Sequence, residues 1–112
     1  MTRFELTVRH PEAESVHVSV YGALDMAGAY DFDDAMRHVE REAPERLVID
    51  LRGLEFMDSA GLSRLLALRR RCRRNGRRLV LVRGPRVIQR LFTALDEQFE
   101  MVLDTAELAA TP

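Results

Sequence analysis

A chain of 112 residues that is 46% hydrophobic and 31% charged has the length of one compact domain and a balance that excludes disorder. Its formal net charge is −1, with 17 arginines and no lysine, which excludes a general attraction to nucleic acid or anionic lipid and leaves no lysine for Schiff-base chemistry. The single cysteine, Cys72, excludes an intramolecular disulfide and fits a reducing compartment.

The opening MTRFELTVRH holds no apolar stretch of signal-peptide length. No run approaches the ~20 apolar residues of a membrane span, so a cytoplasmic protein is expected. Phe4, Leu6 and Val8 alternate with Glu5 and Thr7, the period of a half-buried strand. Residues His10 to Ser15 form a polar turn, and Val16, Val18 and Val20 then alternate with His17, Ser19 and Tyr21. Two alternating runs around a short polar loop predict an antiparallel hairpin, with His17 on its exposed face.

Gly22-Ala23-Leu24-Asp25 breaks the alternation, and Ala29, Phe32, Met36 and Val39 follow at helical spacing. Pro44 ends that helix, because the residue before a proline is pushed out of the helical region. Leu47 to Leu51 is a short apolar run typical of a strand inside a sheet. A second helix is predicted from Asp58 or Ser59, with Leu62, Leu65, Leu66 and Cys72 on one face and Asn75-Gly76 as its stop. Leu79 to Val82 reads as another interior strand. Pro85 opens a third helix whose apolar stripe is Val87, Ile88, Leu91, Phe92 and Leu95. Met101 to Leu103 reads as an edge strand, and Thr105 to Ala110 as a short final helix.

This order predicts an α/β fold with one domain over residues 1–112. Its mixed sheet has about five strands, a hairpin plus parallel strands joined by right-handed crossovers. About four helices pack mainly on one face. In such sheets, sites gather beyond the carboxyl ends of the strands. Two stretches lie there, Gly22-Ala23-Leu24-Asp25 and Glu55-Phe56-Met57-Asp58-Ser59-Ala60-Gly61-Leu62.

The second stretch has four readings. As structure alone, Asp58 is an N-cap and Gly61 allows close packing. As a nucleophile elbow it fails: Met57 occupies the position where a glycine is needed two before the serine. No histidine has a claim to be its base, since His10 falls in a turn, His17 on a strand face and His38 on a helix. A phosphate-binding loop lacks its lysine and second glycine. As a modification site it has a physical basis, because a helix N-terminus favours an added anion that a docked partner would have to desolvate.

Asp58-Ser59-Ala60-Gly61-Leu62, preceded by Leu51-Arg52-Gly53-Leu54-Glu55-Phe56-Met57, resembles the phosphorylation loop of STAS domains, and more closely that of bacterial anti-sigma factor antagonists. Gly22-Ala23-Leu24-Asp25 is similar to the family's G-E-L-D stretch, and Asn75-Gly76 before Leu79 to Val82, with Arg90-Leu91-Phe92, follows its pattern. The resemblance spans the chain. It implies a non-enzymatic switch with no cofactor and no metal. The unphosphorylated protein binds an anti-sigma factor that is also a serine kinase of the GHKL type, and so frees the sigma factor. The kinase phosphorylates Ser59 and the complex dissociates; a phosphatase of the PP2C type reverses the step.

On this resemblance Ser59 is the phosphoacceptor. Asp58 caps the helix and shapes the loop, and Gly61 leaves room for the kinase's nucleotide end. Asp25 contacts the partner or serves as an Asx-turn residue. Met57, Ala60, Ser63 and Arg64 complete the partner-binding set, with the Leu62 side chain assigned to the core. Ala23 stands in place of the family's glutamate. Ala60 stands where a second serine often sits, which leaves Ser59 as the one hydroxyl of the loop proper. A second function stays open: a STAS interaction module that is not phosphorylated, within a transport, stress-signalling or nucleotide-sensing assembly. The protein is expected to be a monomer or weak dimer without direct nucleic-acid contact.

Seven arginines between Arg69 and Arg78 form a locally basic segment. It has no interleaved aromatics for base stacking and falls at a helix C-terminus, where cations are favoured. It reads as a solvated helix end, or as a contact for an acidic protein or lipid headgroups. Cys72 reads as a small core residue.

Overall fold

The computed structural model describes residues 2–110. Its backbone runs β1 (Glu5–Glu12), β2 (Ser15–Leu24), α1 (Met26–Arg41), β3 (Arg46–Met57), α2 (Ser59–Arg74), β4 (Arg78–Val82), α3 (Arg86–Gln89), a 3-10 helix (Arg90–Gln98), β5 (Glu100–Val102) and a last 3-10 helix (Thr105–Ala110). The five strands lie in sequence order, β1 antiparallel to β2 and the rest parallel. Right-handed crossovers that always step in the same direction place their helices on the same side of the sheet. That side holds the main core, where Phe32, Met36 and Val39 of α1, Leu65, Leu68 and Cys72 of α2, and Ile88 and Phe92 meet Val16, Val18, Leu47, Ile49 and Leu81.

The last 3-10 helix is the exception. It crosses to the other side, where Leu108 is buried with Val48, Val80 and Val82. Two other predicted features also change. His10 lies within β1 rather than in a turn, because the hairpin loop is only Ala13-Glu14. The predicted third helix is four α-helical residues followed by a 3-10 segment. Its stripe divides accordingly: Ile88 and Phe92 are buried, whereas Val87 and Leu91 are exposed.

β3 is the largest departure. It continues six residues past Leu51, to Met57. The extra length is absorbed by two irregularities against β2, one between Ser19 and Tyr21 and one between Gly22 and Ala23. Each inserts a β3 residue, the signature of a bulge. Gly53 makes the first possible, because a Cβ there would lie 2.3 Å from Tyr21 Cδ1. At Gly22, with φ of +78°, the N-terminal segment crosses so closely that a Cβ would sit 2.3 Å from Arg3 O.

His17 is buried, not exposed as predicted, at 8% exposure. As an interior strand, β2 is covered on its second face by side chains from both neighbours. Arg46 of β3 donates to Ser15 Oγ at 3.0 Å, and Asp50 and Arg52 form a bonded pair along β3 at 2.8 Å. The His17 Nε2 has no hydrogen-bond partner. Burial, then Arg46 and Arg9, lower the pKa of the ring below its ordinary value, so the folded protein keeps it neutral. The sign follows: as pH falls through about 6.5 the unfolded chain takes up this proton first, and stability declines until the lower folded value is passed. Urea titrations between pH about 7.5 and 5.5 should therefore show a decline in stability that His17→Gln makes shallower; parallel pH slopes for the two proteins would contradict this assignment.

Candidate functional site

The register of β2 and β3 builds the site. Leu24 and Met57, the last residues of the two strands, are paired neighbours. The next residue in each case is an aspartate that caps a helix. Asp25 Oδ1 accepts from Gly28 N at 2.9 Å. Asp58 Oδ1 accepts from Ala60 N at 3.0 Å and Gly61 N at 3.2 Å. Two helix N-termini therefore open side by side at the carboxyl edge of the sheet, each with its first free N–H groups satisfied by its own carboxylate.

Gly61 locks the turns together. A Cβ at that position would lie 2.3 Å from Leu24 O and 2.8 Å from Met57 Cγ. Its missing side chain faces the neighbouring turn, so it serves the close packing that the sequence allowed for it. Met57 is 5% exposed and belongs to the main core, so its side chain supports the loop from beneath. Leu62 is half-buried against the core, as expected.

Ser59 is the first residue of α2 and is exposed. Ala60 is half-buried, and Ser63, one turn along, donates from Oγ to Ala60 O at 2.9 Å. Arg64 faces α1, with Nε 2.8 Å from Asp33 Oδ2. Arg71 extends this clamp through three bonds to Glu40, at 2.9, 3.1 and 3.3 Å. These pairs tie α1 to α2 and fix the angle between the two capped turns.

Two residues escaped the sequence reading. Met26 and Tyr30 are 67% and 65% exposed, at consecutive turns of α1 beginning just after Asp25. Their signal was present: both are large apolar residues that fall outside the Ala29-Phe32-Met36-Val39 stripe. A neighbouring cavity of about 380 Å3 is lined by Arg3, Phe4, Asp25, Gly28 and Asp31 among others, without Ser59. Among the described residues, no group of three or more His, Cys, Asp or Glu side chains is placed to hold a metal, and no helix is long and apolar enough to cross a membrane.

Three comparisons bear on this arrangement. A family model described as "Mlab, STAS domain" matches residues 7–107. The anti-sigma-F factor antagonist RsfA of Mycobacterium tuberculosis is 31% identical over 90 residues, which cover 79% of this chain and 70% of that one. An anti-sigma factor antagonist from Mycobacterium paratuberculosis superposes with a TM-score of 0.85 at 28% identity, covering 96% and 93% of the two chains. The Bacillus cell fate determinant SpoIIAA in its phosphorylated form shares the fold at TM-score 0.73 and 16% identity, covering 95% and 98%.

The geometry separates structural from exposed groups, and thermal or chemical unfolding reads the difference. Gly61→Ala should destabilise by about 1–3 kcal/mol, because the new methyl meets backbone. Asp58→Ala should cost about 1 kcal/mol through its lost cap. Ser59→Ala should stay within about 0.5 kcal/mol of wild type; a loss as large as that of Gly61→Ala would place the serine in the packing.

Proposed function

The chain belongs to the STAS domain family, with anti-sigma factor antagonists among its relatives, and from that premise we propose that it is a protein-interaction switch controlled by phosphorylation of Ser59. In its unphosphorylated form it binds an anti-sigma factor that is also a GHKL-type serine kinase, which releases the sigma factor. Transfer of a phosphoryl group to Ser59 dissociates the complex, and a PP2C-type phosphatase resets it. The chain supplies the acceptor and a surface, and no catalysis.

The observation that carries this reading is an exposed hydroxyl at the opening of α2, held beside the Asp25 turn by the Leu24–Met57 pairing. Relatives that are anti-sigma factor antagonists supply the partner class. The SpoIIAA structure supports the tolerance of the fold for a phosphoryl group, since a protein of this shape exists in a phosphorylated form.

The physics of the switch lies in what each state asks of a docked partner. Met26 and Tyr30 offer exposed apolar area on the first turns of α1, which opens beside α2, the kind of residue that anchors interface cores. A phosphate adds a charge of about −1.5 to −2. The positive dipole end of α2 offsets part of that charge inside the folded domain. A covering protein has no such compensation and must strip water from a dianion that lies near Asp25 and Asp58, at a cost of several kcal/mol. Each 1.4 kcal/mol is about tenfold in affinity, so a loss of a hundredfold or more is expected with the fold intact.

Paired baits test this. Ser59→Ala should retain a kinase-fold anti-sigma factor from native lysate and accept no phosphate from it, while Ser59→Glu should release it. Equal recovery on both baits, or undiminished phosphate on the alanine form, would contradict the proposal. Equal recovery is the outcome expected of a STAS interaction module that is not controlled by phosphorylation.

A further inference from the structure

At the opposite edge of the sheet from Ser59, the arginine segment folds into a pocket. The end of α2, the start of β4 and the Gln98–Glu100 segment enclose a cavity of about 190 Å3 lined by Arg69, Arg73, Arg77, Arg78, Cys72 and Phe99 among others. Arg69 and Arg73 are one helical turn apart on α2 and so share a side of the helix. The segment is thus more than a solvated helix end: four of its seven arginines converge on one concavity.

Their hydrogen-bonding is uneven. Arg78 Nε donates to Glu100 Oε1 at 2.9 Å, and Glu100 is the acid among the lining residues. Arg77 Nε donates to Pro44 O at 2.7 Å. Arg69 lies over the Phe99 ring, 5.9 Å from its centroid. The Arg69 Nε is shielded from solvent and has no hydrogen-bond partner among the described residues, a costly state for a charged donor. Burial, then Arg73 and Arg70, lower its pKa, so its nearest charged influences are other cations.

We propose that this pocket is a binding site for a phosphate-class oxyanion, inorganic phosphate or a small phosphomonoester. A planar guanidinium pairs with phosphate through parallel charge-assisted bonds, and such a ligand offsets the positive charge that Arg69 and Arg73 bring together at the pocket. The cavity is smaller than the ~300–1,000 Å3 of sites that enclose drug-sized ligands, which restricts the ligand to a small anion. The site is separate from Ser59, so it stands or falls independently of the switch.

The test is a titration of the full chain with inorganic phosphate at constant ionic strength, against chloride, followed by the backbone N–H NMR signals of Phe99 and Glu100, which line the pocket and remain in every variant. A saturable shift is expected, and Arg69→Gln/Arg73→Gln should weaken binding about tenfold or more. Arg73→Gln alone, at an exposed position, should weaken it in part, and a thermal melt checks that each variant is folded. A non-saturable response, or the same affinity in the double variant, would overturn the proposal. Vesicles of phosphatidic acid in phosphatidylcholine distinguish the source: phosphate binding without vesicle binding supports a small soluble ligand. Vesicle binding without a response to free phosphate would overturn the pocket in favour of a membrane-facing surface.

Discussion

The parallel pairing of β2 and β3, carried through to Leu24 and Met57, is the constraint on which the rest of the molecule depends. It brings the ends of two strands level, so the next residue of each, an aspartate, opens a helix beside the other. Gly61 permits the final approach, with the Leu24 carbonyl in the space a side chain would fill. The two bulges in β3 serve the same end. They let a strand of 12 residues stay alongside one of 10 and still finish level with it.

From this constraint follows a division of labour among neighbouring residues. Met57, Gly61 and Leu62 face inward and hold the turn in shape. Ser59 faces outward, with Asp58 occupied in satisfying backbone N–H groups. A loop built this way is stiff beneath and open above, so chemistry on its outer atom changes the surface without loosening the core. The ion pairs of Arg64 with Asp33 and Arg71 with Glu40 extend the same stiffness to the whole α1–α2 face. Aspartates 25 and 58 lie at the Ser59 end of the sheet, and Arg69, Arg73, Arg77 and Arg78 gather at the other.

Much of the fold was legible because its elements carry simple periods. The Val16-Val18-Val20 alternation and the Ala29-Phe32-Met36-Val39 stripe both sit where those patterns put them. What escaped depends on neighbours that one strand's pattern does not contain. His17 looks like an outward residue of an alternating strand, yet β1 and β3 flank it and their side chains bury it. Arg52-Gly53 looks like a strand end, yet the glycine is a bulge that keeps the strand going. Leu91 looks like part of a helical stripe, yet the backbone there tightens into a 3-10 segment and Leu91 is exposed, as is Val87 in the α-helical turn before it. At the site, the cap, the exposed serine and the small residues were legible from their types. That Gly61 and Met57 face inward was not, because their direction is set by Leu24 on a different strand.

The most direct measurement is calorimetric. The wild-type chain, unmodified and then stoichiometrically phosphorylated on Ser59, is titrated with its anti-sigma factor, with a thermal melt of each form alongside. The account predicts that affinity falls about a hundredfold or more while the melting temperature changes little. Equal affinity for the two forms, or a phosphorylated chain that no longer melts cooperatively, would contradict it.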